Sequence, residues 1–322
     1  MGSNTTNNVA IWVNAEANLE MPRHSSNTVA GYDFSGKVVQ AGPGSKYRAG
    51  DWIAGCAPAS IGRPAEYGTH QNYLIAMDLL SFPISENLPL DHATCLGVSA
   101  RTAADAFFNL LQYPLPGEAS PETEQPPLLV WGGASSLGFI TIQFAKAIGV
   151  RHIFTTASPE NHADLKELGA THTFDYKDPD VVSKITDTAA RADLSLERIF
   201  DAVGNPQQKT ADTAVQCGTE SPIFVSSTVH PRAQMPIATA ELPFKIQLPG
   251  TDKIITPPVR PEAGPKIAKA LEWIRKSYGD QFRIPKVEVV GGSVQENLKY
   301  LQEKCAQGAK FRKVCFKHPF EA

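Results

Sequence analysis

From Leu128 onward the chain alternates short apolar runs with longer stretches of helical spacing. Leu128–Trp131 reads as a buried strand, 136–148 as a helix, 151–155 as a strand and 159–168 as a helix ended by Gly169. Ser158 stands where an N-cap belongs, with Pro159 at the first helical position. A strand at 171–174, a helix at 179–190, a strand at 198–201, a helix at 206–216 and a strand at 222–225 follow. Units of this length in strict β, α alternation predict a parallel sheet with helices on both faces. The part before about Asp91 differs. Glycine and proline punctuate short strands around 31–40 and Trp52-Ile53-Ala54, which predicts a small barrel or sandwich. Residues 91–112 carry apolar positions at helical spacing, and 113–127 form a polar, proline-rich connector. The tail predicts a helix at 266–277, a strand at 287–290, a helix at 293–304 and a strand at 313–316.

The 322 residues suffice for two domains. A net charge of −3 gives no basic face for nucleic acid and no electrostatic pull toward a membrane. No apolar run approaches the roughly 20 residues of a spanning helix. The first residues lack the pattern of a secretory signal, so the expected location is cytoplasmic. The five cysteines, Cys56, Cys95, Cys217, Cys305 and Cys315, are scattered with no C-x-x-C pair, and no metal site is expected.

The segment after Trp131 carries the main chemical signal. A buried strand runs into Gly132-Gly133-Ala134-Ser135-Ser136-Leu137-Gly138 and then an amphipathic helix. Glycines there let the backbone turn sharply and approach a phosphate, and the helix start offers free N–H groups to a diphosphate. Counted from Gly133, Ser135 replaces the middle glycine of G-x-G-x-x-G, and its hydroxyl is a candidate phosphate donor. An ordinary strand–helix turn is the alternative. The next strand ends Thr155-Thr156-Ala157-Ser158 without the acid that usually holds an NAD ribose. Neutral Ser158 and Asn161 suit a 2′-phosphate, Arg151 and Lys166 could add charge, and Glu160 would oppose it if turned inward.

Gly31-Tyr32-Asp33-Phe34-Ser35-Gly36, Gly50 to Gly55, Arg101-Thr102-Ala103, Gly132 to Gly138, Ser158 to Asn161, Leu168-Gly169-Ala170 and Phe174-Asp175-Tyr176 occur in this order. Together they resemble the zinc-free medium-chain dehydrogenase/reductase superfamily. Within it, the chain is similar to the fungal trans-acting enoyl reductases of polyketide biosynthesis. The resemblance implies an α/β fold: a Rossmann-type doubly wound parallel sheet over 99–280 plus a β-rich GroES-like catalytic domain from 1–98 and 281–322. It implies NADP(H) in the cleft between them. By position, Gly132, Gly133, Ala134, Ser135, Ser136 and Leu137 line the diphosphate. Ser158, Asn161 and Tyr176 surround the adenosine phosphate. Ser226 and Ser227, then Ala309 and Lys310, approach the cofactor from later loops. Val98, Ser99, Arg101, Thr102, Asp105 and Phe244 line the substrate. The implied reaction is hydride transfer to an enoyl thioester, free or carrier-bound, in a monomer that partners a polyketide synthase and uses no metal.

The chain departs from that pattern in two places. The region before Gly31 is shorter than in the family by about two or three strands and lacks an Asn-Pro-x-Asp-type loop, so an incomplete barrel and an open nicotinamide end are expected. Arg101 and Asp105 stand where smaller residues are common. They read either as an i,i+4 salt bridge or as acid–base candidates in a remodelled pocket. Two other functions stay open on the same fold: a cofactor-independent isomerase or cyclase, and a non-catalytic nucleotide- or synthase-binding protein.

Overall fold

In the computed structural model the described residues are 12–13, 19–20, 28–58, 63–120, 122–243, 245–247, 252–307 and 311–320. The chain divides into two compact units. The first comprises 1–98, 242–259 and 286–322, and the second 99–241 and 260–285. No helix among the described residues is long and apolar enough to cross a membrane.

The first unit contains small separate sheets. Strands β1 (Asp33–Lys37), β2 (Trp52–Cys56) and β3 (Ser81–Pro83) form an antiparallel meander. Trp12–Val13 pairs antiparallel with Leu19–Glu20 and with Thr28–Val29. Phe34, Tyr47 and Ile53 make one small core, and Cys56 is buried on β2. At the meander's edge, Asp33 accepts the amide of Val98 at 2.5 Å, pinning the start of helix α1 (Gly97–Ala104). Burial pushes the Asp33 carboxyl up, against the opposing charge of Lys313 and the Val98 amide.

The second unit is the predicted doubly wound sheet. Helix α1 runs into a π-helical turn at Asp105–Leu110, buried through Phe107 and Phe108. Then come β4 (Leu128–Trp131), α2 (Ser136–Ala147), β5 (Ile153–Thr156), α3 (His162–Leu168), β6 (His172–Phe174), α4 (Val181–Arg191), β7 (Arg198–Asp201), α5 (Thr210–Val215) and β8 (Ile223–Ser226). The five strands are all parallel in the order β8-β7-β4-β5-β6. Because β4 is followed outward on one side by β5 and on the other by β7, its C-terminal end is the topological switch point, where such sheets bind ligands. β4 and β5 are buried along their whole length, as strands covered on both faces must be. Helix α6 (Ala263–Ser277) closes this unit.

Three local differences from the predicted elements have visible causes. Ser158 occupies the cap position of a 3-10 turn at Pro159–Asn161 that precedes α3, but its side chain caps nothing. Lys209 is left-handed (φ 51°), so α5 starts at Thr210 rather than at 206. Leu242–Val259 joins the first unit, an excursion that no hydrophobic period marked.

The first unit ends in β9 (Val287–Val290), α7 (Val294–Gln307) and β10 (Lys313–Phe316), with β9 and β10 parallel. The His70 ring stands edge-on to Phe316 at 5.2 Å, and His318 lies 4.0 Å from Phe320. Burial pushes His70 down to about 4, helped by the nearby charges of His318 and Arg63. Burial alone takes His318 down to about 4. Both rings fold neutral while the unfolded chain takes up protons from its ordinary value of 6.5. Their contribution is therefore complete above pH 6.5 and is lost as pH falls toward about 4. His70 keeps some exposure, so on the order of 2 kcal/mol is expected for its share. Denaturant titrations from pH 7 to pH 4 should show His70→Asn with the flatter decline; equal slopes would count against neutral burial.

Candidate functional site

The turn after β4 is built by close approach. Gly132 has φ +87°, the left-handed region, and a Cβ there would strike the Val203 side chain. A Cβ on Gly138 would stand 2.7 Å from the Gly133 Cα, so α2 rests directly on the turn. Gly132 donates to Thr156 Oγ1 at 3.0 Å and Gly133 to the Thr156 carbonyl at 2.9 Å. The turn is thereby fastened to the end of β5.

Ser135 is the N-cap of α2. Its Oγ accepts the Gly138 amide at 3.0 Å and donates to the Ala202 carbonyl at 3.1 Å. This corrects the expectation of a phosphate-donating hydroxyl: the capping bond and the bond to Ala202 use it. What remains is backbone. The amides of Ala134, Ser136 and Leu137 find no acceptor among the described residues. Free N–H groups at a helix start, in the positive end of its dipole, are a donor set for a diphosphate.

The neighbouring strand ends are braced to this turn. Ala202 donates to the Trp131 carbonyl at 3.0 Å, and Ser227 to the Asp201 carbonyl at 3.0 Å. Fully buried Asp201 accepts from the Val203 and Gly204 amides, both at 3.1 Å. It also accepts from Thr210 Oγ1 at 3.0 Å and Ser226 Oγ at 2.9 Å. Ser226 is thus committed to Asp201, whereas Ser227 Oγ is buried with no partner. An orphaned hydroxyl and three open amides along one lip fit a dinucleotide. On the other side, Ala157 donates to the Phe174 carbonyl at 2.9 Å, joining the ends of the two strands that Ser158–Asn161 and Tyr176 follow. Tyr176 is 41% exposed, with Lys177 Nζ 5.7 Å from its ring centre.

Arg101 and Asp105 do not pair with each other, which corrects the i,i+4 reading. The Arg101 guanidinium pairs with Glu241 and donates from Nε to the Ala238 carbonyl at 2.6 Å. Asp105 takes Arg260 in two contacts, 3.0 and 2.5 Å, together with the Ile237 amide at 2.9 Å and Asn109 Nδ2 at 3.0 Å. Both side chains are buried. Of the other expected substrate residues, Ser99 is buried, Thr102 is half-buried and Val98 gives its amide to Asp33. Phe244, Ala309 and Lys310 lie outside the described residues. Thr156, Asp201, Glu241 and Arg260 lie outside the sequence motifs. Polar residues at the apolar strand ends 153–156 and 198–201 were the only sign of the first two. Among the described residues, no group of three or more His, Cys, Asp or Glu could hold a metal ion.

The zinc-binding dehydrogenase family model matches residues 136–237. A trans-enoyl reductase of Aspergillus japonicus is 31% identical over 189 residues, 58% of this chain and 52% of that protein. One from Alternaria alternata is 32% identical over 184 residues (56% and 52%), and one from Aspergillus flavipes 30% over 235 residues (70% and 65%). The chain spans about half the length of the first two relatives. Among solved structures, a quinone oxidoreductase of Pseudomonas syringae aligns with a TM-score of 0.66 at 14% identity, covering 97% of this chain and 100% of that one. An Escherichia coli quinone oxidoreductase complexed with NADPH aligns at 0.62 and 15%, covering 90% and 82%. These likenesses show the fold, a Rossmann-type unit with a GroES-like one.

The cap makes Ser135 testable. Ser135→Ala should cost about 1 kcal/mol of stability and Ser135→Gly only a few tenths, with affinity for a nicotinamide dinucleotide changing less than about threefold in either. Denaturant unfolding and calorimetry measure the two quantities. A tenfold loss of affinity in both variants would return the hydroxyl to the phosphate.

Proposed function

We propose that the chain belongs to the medium-chain dehydrogenase/reductase superfamily, on the branch of the fungal trans-enoyl reductases it is similar to, and that it is an NADPH-dependent enoyl reductase. It acts in trans on an α,β-unsaturated polyketide thioester, free or carrier-bound. The observation that carries this reading is the turn after Trp131, with its three open amides at the start of α2.

The residues divide the work by what each can donate. Ala134, Ser136 and Leu137, whose amides are open, would hold the diphosphate, and the unpartnered Ser227 hydroxyl would serve the cofactor's nicotinamide half. Ser158, Asn161 and Tyr176 receive the adenosine end. No carboxylate ends β5, and Lys177 beside Tyr176 adds a positive charge, which favours a 2′-phosphate over a bare ribose. Bound NADPH supplies the hydride for the β-carbon. The protein's task is orientation, exclusion of water and hydrogen bonding to the developing enolate. A polyketide synthase as partner, a monomeric state and a cytoplasmic location belong to the same proposal. Nothing favours the isomerase or cyclase reading, because the acid–base pair on which it rested is taken up by Glu241 and Arg260.

Two measurements test the proposal. Calorimetry should find NADPH bound at least about tenfold more tightly than NADH; the reverse order would sink the coenzyme assignment. Mixed with NADPH and an enoyl pantetheine thioester, the protein should consume the nicotinamide absorbance and yield the saturated thioester. Tight NADPH binding with no turnover across chain lengths would favour a non-catalytic binder.

A further inference from the structure

The second unit's chain departs at Glu241 and re-enters at Arg260. Those two residues are the partners of Arg101 and Asp105, one helical turn apart. The crossing points also touch directly, with the Arg260 amide donating to the Ala240 carbonyl at 2.7 Å. We infer that Arg101 and Asp105 are positioning residues: their ion pairs to Glu241 and Arg260 clamp together both ends of the Leu242–Val259 excursion.

The charge order specifies the arrangement. A base on the helix meets an acid on the outgoing chain, and an acid on the helix meets a base on the returning chain. Exchanging the two crossings would set Arg101 against Arg260 and Asp105 against Glu241, which like-charge repulsion forbids. The two halves differ in strength. Asp105 has every lone-pair direction used, by Arg260, Ile237 and Asn109. Glu241 Oε2 is buried with no partner. A buried ion pair holds only as well as its remaining polar atoms are satisfied. The returning end is therefore the anchor and the outgoing end the looser one.

A consequence rests on the proposed reductase activity: binding of the enoyl substrate depends on this clamp, whereas the dinucleotide lip is built without it. The experiment is trypsin proteolysis of the full chain with cleavage sites mapped by mass spectrometry, run beside steady-state kinetics. Asp105→Asn should speed cleavage after Lys245 and Lys253 about tenfold, and Glu241→Gln, the milder variant, about threefold, with cleavage after Lys166 and Lys184 unchanged. The paired exchange R101E with E241R should be cleaved more slowly than R101E alone. In the same variants KM for the enoyl thioester should rise and KM for NADPH stay constant. The clamp is overturned if cleavage at Lys245 and Lys253 rises only in step with that at Lys166 and Lys184, or if both KM values move together. Absence of turnover in the parent protein would refute the reductase reading alone, since proteolysis still decides the clamp.

Discussion

The second unit is organised around a buried carboxylate. Asp201 sits at the end of β7, between the strand that carries the glycine turn and the strand that carries Ser226 and Ser227. Two backbone amides and two hydroxyls converge on it. A charge buried without such partners would cost several kcal/mol. With them it fixes the turn after β7, the start of α5 and the end of β8 at once. Ala202, the next residue, then bonds the Trp131 carbonyl and receives the Ser135 hydroxyl. The geometry of the lip follows from this cross-bracing, so its open amides are held in place before any ligand arrives.

That arrangement explains why a serine stands where a third glycine would suit a dinucleotide turn. The Ser135 side chain points back into the protein, to Gly138 and Ala202, and leaves the outward face to backbone donors. The close approach on which the fold depends is met by Gly132 and Gly138, where added atoms would collide with Val203 and with the turn itself.

Much of the second unit could be read from the chain. Leu128–Trp131 and Arg198–Asp201 are strands at their expected bounds, because a short apolar run in a doubly covered sheet has no competing period. In the first unit, Val287–Val290 and Lys313–Phe316 are also strands at their expected bounds, although they are only partly buried. The failures are long-range. The partner of Ser135 is 67 positions away, and those of Arg101 and Asp105 are 140 and 155 away. At i,i+4 spacing a local pair was the natural reading of Arg101 and Asp105, and only tertiary contact could replace it. Lys209 in a left-handed conformation and the departure of Leu242–Val259 are likewise backbone events without a periodic signature.

The near-neutral total of −3 conceals how charge is distributed. Exposed pairs such as Arg151–Glu124 and Lys269–Glu118 are solvated and contribute little. The Arg101–Glu241 and Asp105–Arg260 pairs are different, since Arg101 and Glu241 are 3% and 7% exposed and Asp105 is fully buried. Replacing such pairs with apolar side chains often leaves stability unchanged or raises it, so their presence is poorly explained by stability alone. What an ion pair adds over a hydrophobic contact is direction: it accepts one partner and rejects another. At the two points where the chain crosses out of the second unit and back, that selectivity is the property the fold requires.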